Sequence, residues 1–455
     1  MNYTESLLAD NENWQGQDFA ATEGRERGDK WSFPFLWLFT IAVFARPEDI
    51  FPFLAPLHLT FVFGACAGLT YVAALVSGRA TLRWTRELQI VLLLTGWFIA
   101  GVPFALWRGG SFQILTHIWL KTLLIFFLLT QVLVTLDRVR KLLWAIILSE
   151  LVVTSLSIAL SSQAIWVGGR MLGFNLGILG WNFLGIAEAL TIPYIAAIFV
   201  VRRSLLEASA LVAAVISMTW MLMLTASRSG LLDVVFSAVL TSLVVLRGNS
   251  RGRVIAVAIA LALVVAISFA PLVFWERVGT MWDGADAPAN EVAASAQESS
   301  ESHLAVLIAS LDYTIEHPVF GLGLGNFVIA NGTELGVPSA WVGTHNTFTE
   351  ISSEAGVPAL LLFVGLLITA LRNVKKTSKT LADNPEAQEL RLIARATQAS
   401  LLSFAFGACF AHLGYEYFFF YLVGIGVGIQ HIAAKMQGRS SPRDLPSMEH
   451  IAGAI

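Results

Sequence analysis

The strongest constraint on this chain is a succession of apolar runs, most of them close to the length of a membrane-crossing helix. They fall at about 33–46, 53–77, 88–106, 112–136, 142–160, 183–201, 205–225, 230–246, 254–275, 355–371, 397–413 and 417–434. The hydrocarbon core of a bilayer is about 30 Å thick and takes about 20 apolar residues of helix. Within it every backbone polar group must find its partner inside the segment, which selects helices for runs of this kind. Twelve runs predict an all-α polytopic membrane protein, with the short first run tilted or re-entrant. Composition agrees: 56% of residues are hydrophobic and 13% charged, against roughly 45–50% and 25% in soluble domains. A soluble globular enzyme and a disordered chain are excluded. The net charge of −3 leaves no basic surface for nucleic acid. Cys66 and Cys409 both fall in apolar runs and read as small buried hydrophobes, with no metal site or disulfide framework implied.

Charge between the runs sets the expected orientation. With the N-terminus in the cytoplasm, 23 of the 29 lysines and arginines fall on cytoplasmic segments, the asymmetry that the positive-inside rule demands. The expected organisation is a polar cytoplasmic tail over 1–32, nine membrane helices over 33–275 and a large periplasmic loop over 276–354. Three more helices over 355–434 and a cytoplasmic tail over 435–455 complete it. The first 32 residues carry no basic n-region followed by a short apolar stretch, so no removable signal is expected. The exceptions to the rule are Arg46, Arg108, Lys121, Arg170, Arg228 and Arg277, each in a span or on the outer face. A cation at mid-membrane costs about 2.5–3.5 kcal/mol on insertion scales and calls for a partner. Lipid phosphates or loop carboxylates would serve for any one of them; for the set, a shared anionic ligand is the more economical reading.

A loop as long as 276–354 is usually functional or disordered. Its first part, Asp283 to Ser302, is rich in Ala, Ser and acids and is expected to be mobile. From His303 to Glu316 the apolar residues Leu304, Leu307, Ile308 and Leu311 recur at helical spacing, and His317-Pro318 should end that helix. Gly321-Leu322-Gly323-Leu324-Gly325 then lacks the strand–helix setting of a dinucleotide fingerprint. It is read as backbone that bends and approaches something closely. His345, between Thr344 and Asn346, stands just before a span. A lone histidine more often makes a structural hydrogen bond, but a neutral imidazole is also the natural general base for a hydroxyl. Arg228, in Thr225-Ala226-Ser227-Arg228-Ser229-Gly230, separates two spans with almost no loop. It reads either as a snorkelling cation or as a guanidinium fork for phosphate. The intramembrane groups Lys121, Glu150, Glu188 and Asp233 are read first as structural pairs, with Lys121–Glu150 and Arg228–Asp233 the available pairings. His412, Tyr415 and Glu416 would sit at the last outer turn. Trp341, Phe348 and Tyr313 read as core residues before they read as sugar-stacking platforms.

Four stretches together resemble the O-antigen ligase and O-antigen polymerase superfamily, which also includes protein O-oligosaccharyltransferases. They are Ser227-Arg228-Ser229-Gly230, Glu276-Arg277-Val278, the run from His317 to Phe327, and His345-Asn346 followed by Glu354-Ala355-Gly356-Val357-Pro358. Arg170 with Gly173 and Asn182, and Arg46-Pro47-Glu48-Asp49, are similar to weaker family features. The resemblance covers about 33–434, with its specific motifs in 225–360. It implies a C-type glycosyltransferase membrane fold in the bacterial inner membrane. It also implies transfer of a glycan from an undecaprenyl-pyrophosphate-linked donor to a glycan, lipid or protein acceptor, with no metal or other cofactor. The same resemblance makes Arg228 the pyrophosphate ligand and His345 the general base. Arg170, Arg277, His303 and Asn346 become substrate-binding residues. Where relatives often carry an arginine, this chain has His303, which lacks the bidentate fork. A twelve-helix transporter and a non-catalytic envelope scaffold are the readings from other classes. No hydropathy repeat between halves supports the transporter.

Overall fold

A computed structural model describes residues 30–162, 164–167, 169–173, 181–248, 252, 268–280, 291–336 and 341–438. The architecture is a helical bundle. Eight of its helices are long and apolar enough to cross a membrane, among them α2 (Leu59–Val76), α3 (Arg86–Gly101), α4 (Arg108–Val132) and α5 (Leu136–Ala159). After α6 (Trp181–Val200) come α7 (Leu205–Thr225) and α8 (Arg228–Val245). The last are α12 (Thr347–Thr380) and α14 (Tyr417–Met436). Shorter apolar helices are α1 (Ser32–Ala45) and the Gly185–Val200 portion of α6. The helix α13 (Gln388–Gly407) opens on charged residues and becomes apolar towards its end. Every expected run but the ninth therefore begins or lies in a helix. Residues 254–267 of the ninth are outside the described residues.

Three departures from expectation are physical in origin. First, the fold is not purely helical: β1 (Ile165–Val167) and β2 (Arg170–Gly173) pair antiparallel before α6. Gly169 turns the chain between them at φ 72°, a region that glycine enters without steric cost. Second, the Ala- and Ser-rich stretch expected to be mobile is helical from Glu291. It forms α10 (Glu291–Glu316), after α9 (Leu272–Gly279). Ala, Glu and Gln are good helix formers, and Val306 and Tyr313 of α10 are buried with Leu322 and with Phe327, the first residue of α11 (Phe327–Leu335). The helix ends before His317-Pro318, as expected. Third, the span expected from 355 belongs to a longer helix that begins at Thr347 and breaks at Gly356, where φ is 82° and ψ is 171°.

That break is where the loop docks. Gly356 lies against residues 318–319, and Val357 N–H donates to Pro318 O at 2.8 Å. A methyl group at Gly356 would stand 2.0 Å from Val319 O, and one at Gly321 would stand 2.3 Å from the Glu354 carbonyl carbon. Glycine is required at both places by space as well as by φ. Phe320 stacks on Trp97 and Phe104, with centroids 5.0 and 4.5 Å apart. A second close approach joins α6 to α8: a Cβ on Gly185 would lie 2.4 Å from Gly230 Cα. At the opposite end of the bundle Arg140 ties α5 to α7 and α13. Its guanidinium donates to Glu207 at 2.8 Å and to Glu389 at 2.5 Å, and Arg203 meets Glu389 at 3.2 Å.

Gly356→Ala should destabilise the protein by about 2 kcal/mol or more, through steric overlap and a left-handed backbone. Gly365→Ala, where a Cβ meets nothing within 4 Å, should not. Thermal unfolding in detergent, followed by tryptophan fluorescence, separates the two.

Candidate functional site

The junction of α7 and α8 positions the first arginine. Thr225 ends α7, Ala226 takes a left-handed φ of 46°, and Ser227 caps α8 by accepting from Gly230 N–H at 3.1 Å. Arg228 is therefore the first residue of α8. Its Nη1 donates to Thr280 Oγ1 at 3.1 Å, just beyond α9, and its Nη2 to Ser300 Oγ at 2.9 Å on α10. From β2, Arg170 Nε donates to Thr225 O at 2.8 Å, one of the carbonyls that a helix end leaves unsatisfied. Arg277, on α9, is 5% exposed, and its Nε has no hydrogen-bond partner among the described residues.

These three guanidiniums feel one another. Burial, then the charges of Arg277 and Arg228, push Arg170 down to about 9. Burial, then Arg228, also pushes Arg277 below its usual value. Three like charges, one buried and two partly buried, are unfavourable by themselves and are complementary to a polyanion.

The histidines form the adjoining group. His303 lies on α10 three residues beyond the Ser300 that holds Arg228. Its ring stacks on His345 at a centroid distance of 4.1 Å, and His345 meets His412 edge-on at 5.5 Å. His345 has a φ of 52°, which is uncommon outside glycine and marks a conformation held by its surroundings. What holds it is the docking of α12 onto the turn before α14. Thr347 N–H donates to Ala408 O at 2.7 Å, and Thr347 Oγ1 donates to Ala411 O at 2.7 Å while accepting from Leu413 N–H at 3.0 Å. Glu350 accepts from Gly414 N–H at 2.8 Å. Burial, followed by the charges of His303 and His412, pushes His345 down to about 3. Burial, then His303, pushes His412 down to about 4. Both rings are neutral at pH 7, the form that accepts a proton.

Five of the six residues singled out from sequence thus converge: Arg170, Arg228, Arg277, His303 and His345. The sixth, Asn346, has a different place. It is the N-cap of α12: Oδ1 accepts from Phe348 N–H at 2.9 Å and Thr349 N–H at 3.1 Å, and Nδ2 donates to Cys409 O at 3.3 Å. Its amide is committed to the backbone.

Two expected pairs do not form. Asp233 lies one turn deeper than Arg228, and its carboxyl is buried beside Gly407 with no hydrogen-bond partner among the described residues; five positions on a helix put the two side chains on different faces. Lys121 faces a separate cavity with Glu416, while Glu150 is buried near Glu188. Tyr313 and Phe348 pack in apolar clusters, and Trp341 covers Gly332. Sequence reasoning gave no role to Thr280 and Ser300, which steady Arg228. It quoted Glu354 only within a family-like stretch and gave it no role, yet its carboxylate accepts from Gly325 N–H at 2.7 Å, Phe327 N–H at 3.1 Å and Tyr415 Oη at 2.8 Å. The available signal was the glycine-rich run followed by a lone acid before Gly356.

Residues 213–364 match the family model described as O-antigen ligase. Over that third of the chain the protein is similar to the O-antigen ligase-like superfamily, whose proteins transfer glycosyl groups in O-antigen pathways. The matched segment contains Arg228, Arg277, His303 and His345; Arg170 and His412 lie outside it. No curated protein matches the chain.

Because His345 and His412 titrate lower in the fold than in the unfolded chain, the unfolded state binds more protons between pH 6.5 and about 3. Stability should therefore fall as pH drops from 7 to 5. In His345→Asn the fall should be shallower, a comparison read by melting temperature against pH. Asn346→Ala should cost about 1 kcal/mol of stability for the lost cap, measured by the same unfolding assay.

Proposed function

We propose that this protein transfers a glycan from an undecaprenyl-pyrophosphate-linked donor to an acceptor hydroxyl at the periplasmic face of the bacterial inner membrane, with both termini in the cytoplasm. The observation that carries the reading is the apposition of three arginines, one buried and two partly buried, with His345, a neutral imidazole stacked on the ring of His303. A pyrophosphate needs fixed positive charge where it meets the protein, and an acceptor hydroxyl needs a base beside it. The family match and the asymmetry of basic residues support the same reading.

In this mechanism Arg170, Arg228 and Arg277 hold the pyrophosphate, with Thr280 and Ser300 keeping Arg228 in place. The acceptor oxygen bonds to the anomeric carbon of the donor as its proton passes to His345. The bond from that carbon to the pyrophosphate oxygen breaks, and undecaprenyl pyrophosphate leaves with the electron pair. The arginines stabilise the charge that grows on the leaving oxygen, and preorganised groups of this kind usually supply the largest part of a rate enhancement. The anionic donor beside His345 raises its proton affinity above that of the empty site. His303 stacks on His345 and restricts its ring. Ligase, polymerase and protein-glycosylating versions differ in the acceptor alone.

His345→Ala should lower kcat by about 10²–10⁴. Arg228→Ala should lower it by about 10²–10³, and Arg228→Lys should restore little of it because it lacks the planar fork. Membranes supplied with undecaprenyl-pyrophosphate-linked glycan and separate acceptors, read by gel shift and mass spectrometry, test this. Full transfer by both alanine variants would refute the mechanism.

A further inference from the structure

A cavity of about 340 Å³ opens between α1, α2, α4 and the start of α14. That volume lies in the range of small-molecule sites, about 300–1,000 Å³. Its inner wall is apolar, built from Phe39, Ile118 and Ile125 among others, and Phe61 and Tyr417 border it. Its mouth is charged and includes two of the cations that break the positive-inside pattern, Arg46 and Lys121.

The charges at the mouth differ from those of the arginine cluster. Glu48, Asp49 and Glu416 stand against Arg46 and Lys121. Arg46 Nε meets Asp49 at 2.6 Å, Glu48 accepts from Leu59 N–H at 2.7 Å, and Glu416 lies within the field of both cations. The mouth thus carries no excess positive charge for a phosphate. It offers carboxylate acceptors, an exposed ammonium donor and aromatic surface. Those are the groups that hold the hydroxyls and the ring face of a sugar. The apolar wall behind them fits a lipid chain.

A series of contacts leads from the arginine cluster to the turn that carries Glu416. Arg228 bonds to Ser300 on the helix that carries His303, His303 stacks on His345, and His345 meets His412. Glu416, at the mouth, follows His412 by four residues, which spans at most about 14 Å of chain. His345 is thus the middle link of the contacts that lead from the cationic cluster to the turn carrying Glu416.

We propose that the cavity binds the hydroxylated saccharide head of a lipid-anchored glycan. On the function proposed above, it is the acceptor side of the site, and the acceptor is carried by a lipid. Hydroxyls are held by Asp49, Glu416 and Lys121, and the lipid chain lies along α1 and α4.

The test uses the full chain in nanodiscs and a dodecyl disaccharide with a diazirine in its alkyl chain, cross-linked and mapped by mass spectrometry. Labelling should concentrate in 39–43 and 118–125. Lys121→Ala, Glu416→Gln and Phe61→Ala should each weaken it about tenfold, the loss of one good polar or apolar contact. Unmodified phosphatidylglycerol should not compete. Lys121 and Phe61 are exposed, so their removal leaves the packing intact, as unchanged melting temperatures would verify. Labelling spread along the whole apolar belt, labelling indifferent to the variants, or equal competition by phosphatidylglycerol would overturn the proposal. In the transfer assay the same variants should raise the KM for the lipid-borne acceptor and not for the donor. Saccharide labelling at the cavity without any transfer by the unaltered protein would overturn the glycosyltransferase reading and leave the saccharide site standing.

Discussion

Much of the site depends on one buried carboxylate. Glu354 accepts from the backbone of Gly325 and Phe327 and from the phenol of Tyr415. Those three donors come from the glycine-rich turn, the first residue of the helix Phe327–Leu335 and the turn before α14. A carboxylate accepting several such bonds is strongly held, and removing one would strand the others in a buried place. Glu350, one turn earlier, does the same for Gly414. Together they lock the loop to the membrane helices, and His345 and His412 inherit their relative position from that lock. The glycines exist to let the backbone reach it, and Gly356 lets α12 change direction immediately after it.

The charged groups are sorted by chemistry. On the loop-bearing side Arg170, Arg228 and Arg277 converge, and burial keeps His345 and His412 neutral. At the opposite end Arg140, Arg203, Glu207 and Glu389 satisfy one another. The second cluster is complete in itself. The first contains Arg277, which is buried and whose Nε has no hydrogen-bond partner among the described residues.

What could be read in the sequence followed from periodicity, length and charge. Helix positions emerged because a bilayer leaves few alternatives for long apolar runs. Arg228 and His345 stood out because a cation or an imidazole at such a boundary needs a reason. Three things were hidden. The stretch Glu291–Ser302 looked mobile because its helix is supported by packing that lies farther along α10. The hairpin carrying Arg170 is too short for an alternation signal. Asn346 sits beside the site in sequence, but its amide serves the helix backbone, and no spacing rule separates a cap from a ligand when both stand before a helix. The Arg228–Asp233 pairing failed on helical phase: five residues turn the side chain away from its supposed partner.

The contact of Gly185 with Gly230 has a mechanical consequence. It lies within one turn of Arg228, at the tip of a helix of 18 residues, which is about 27 Å long. The helix is held farther along as well, where Ser237 Oγ donates to Ala189 O at 2.5 Å and Thr241 and Val245 are buried. Two helices seated against each other at both ends of their contact shift together, so Arg228 keeps its place relative to α6 when the pair moves.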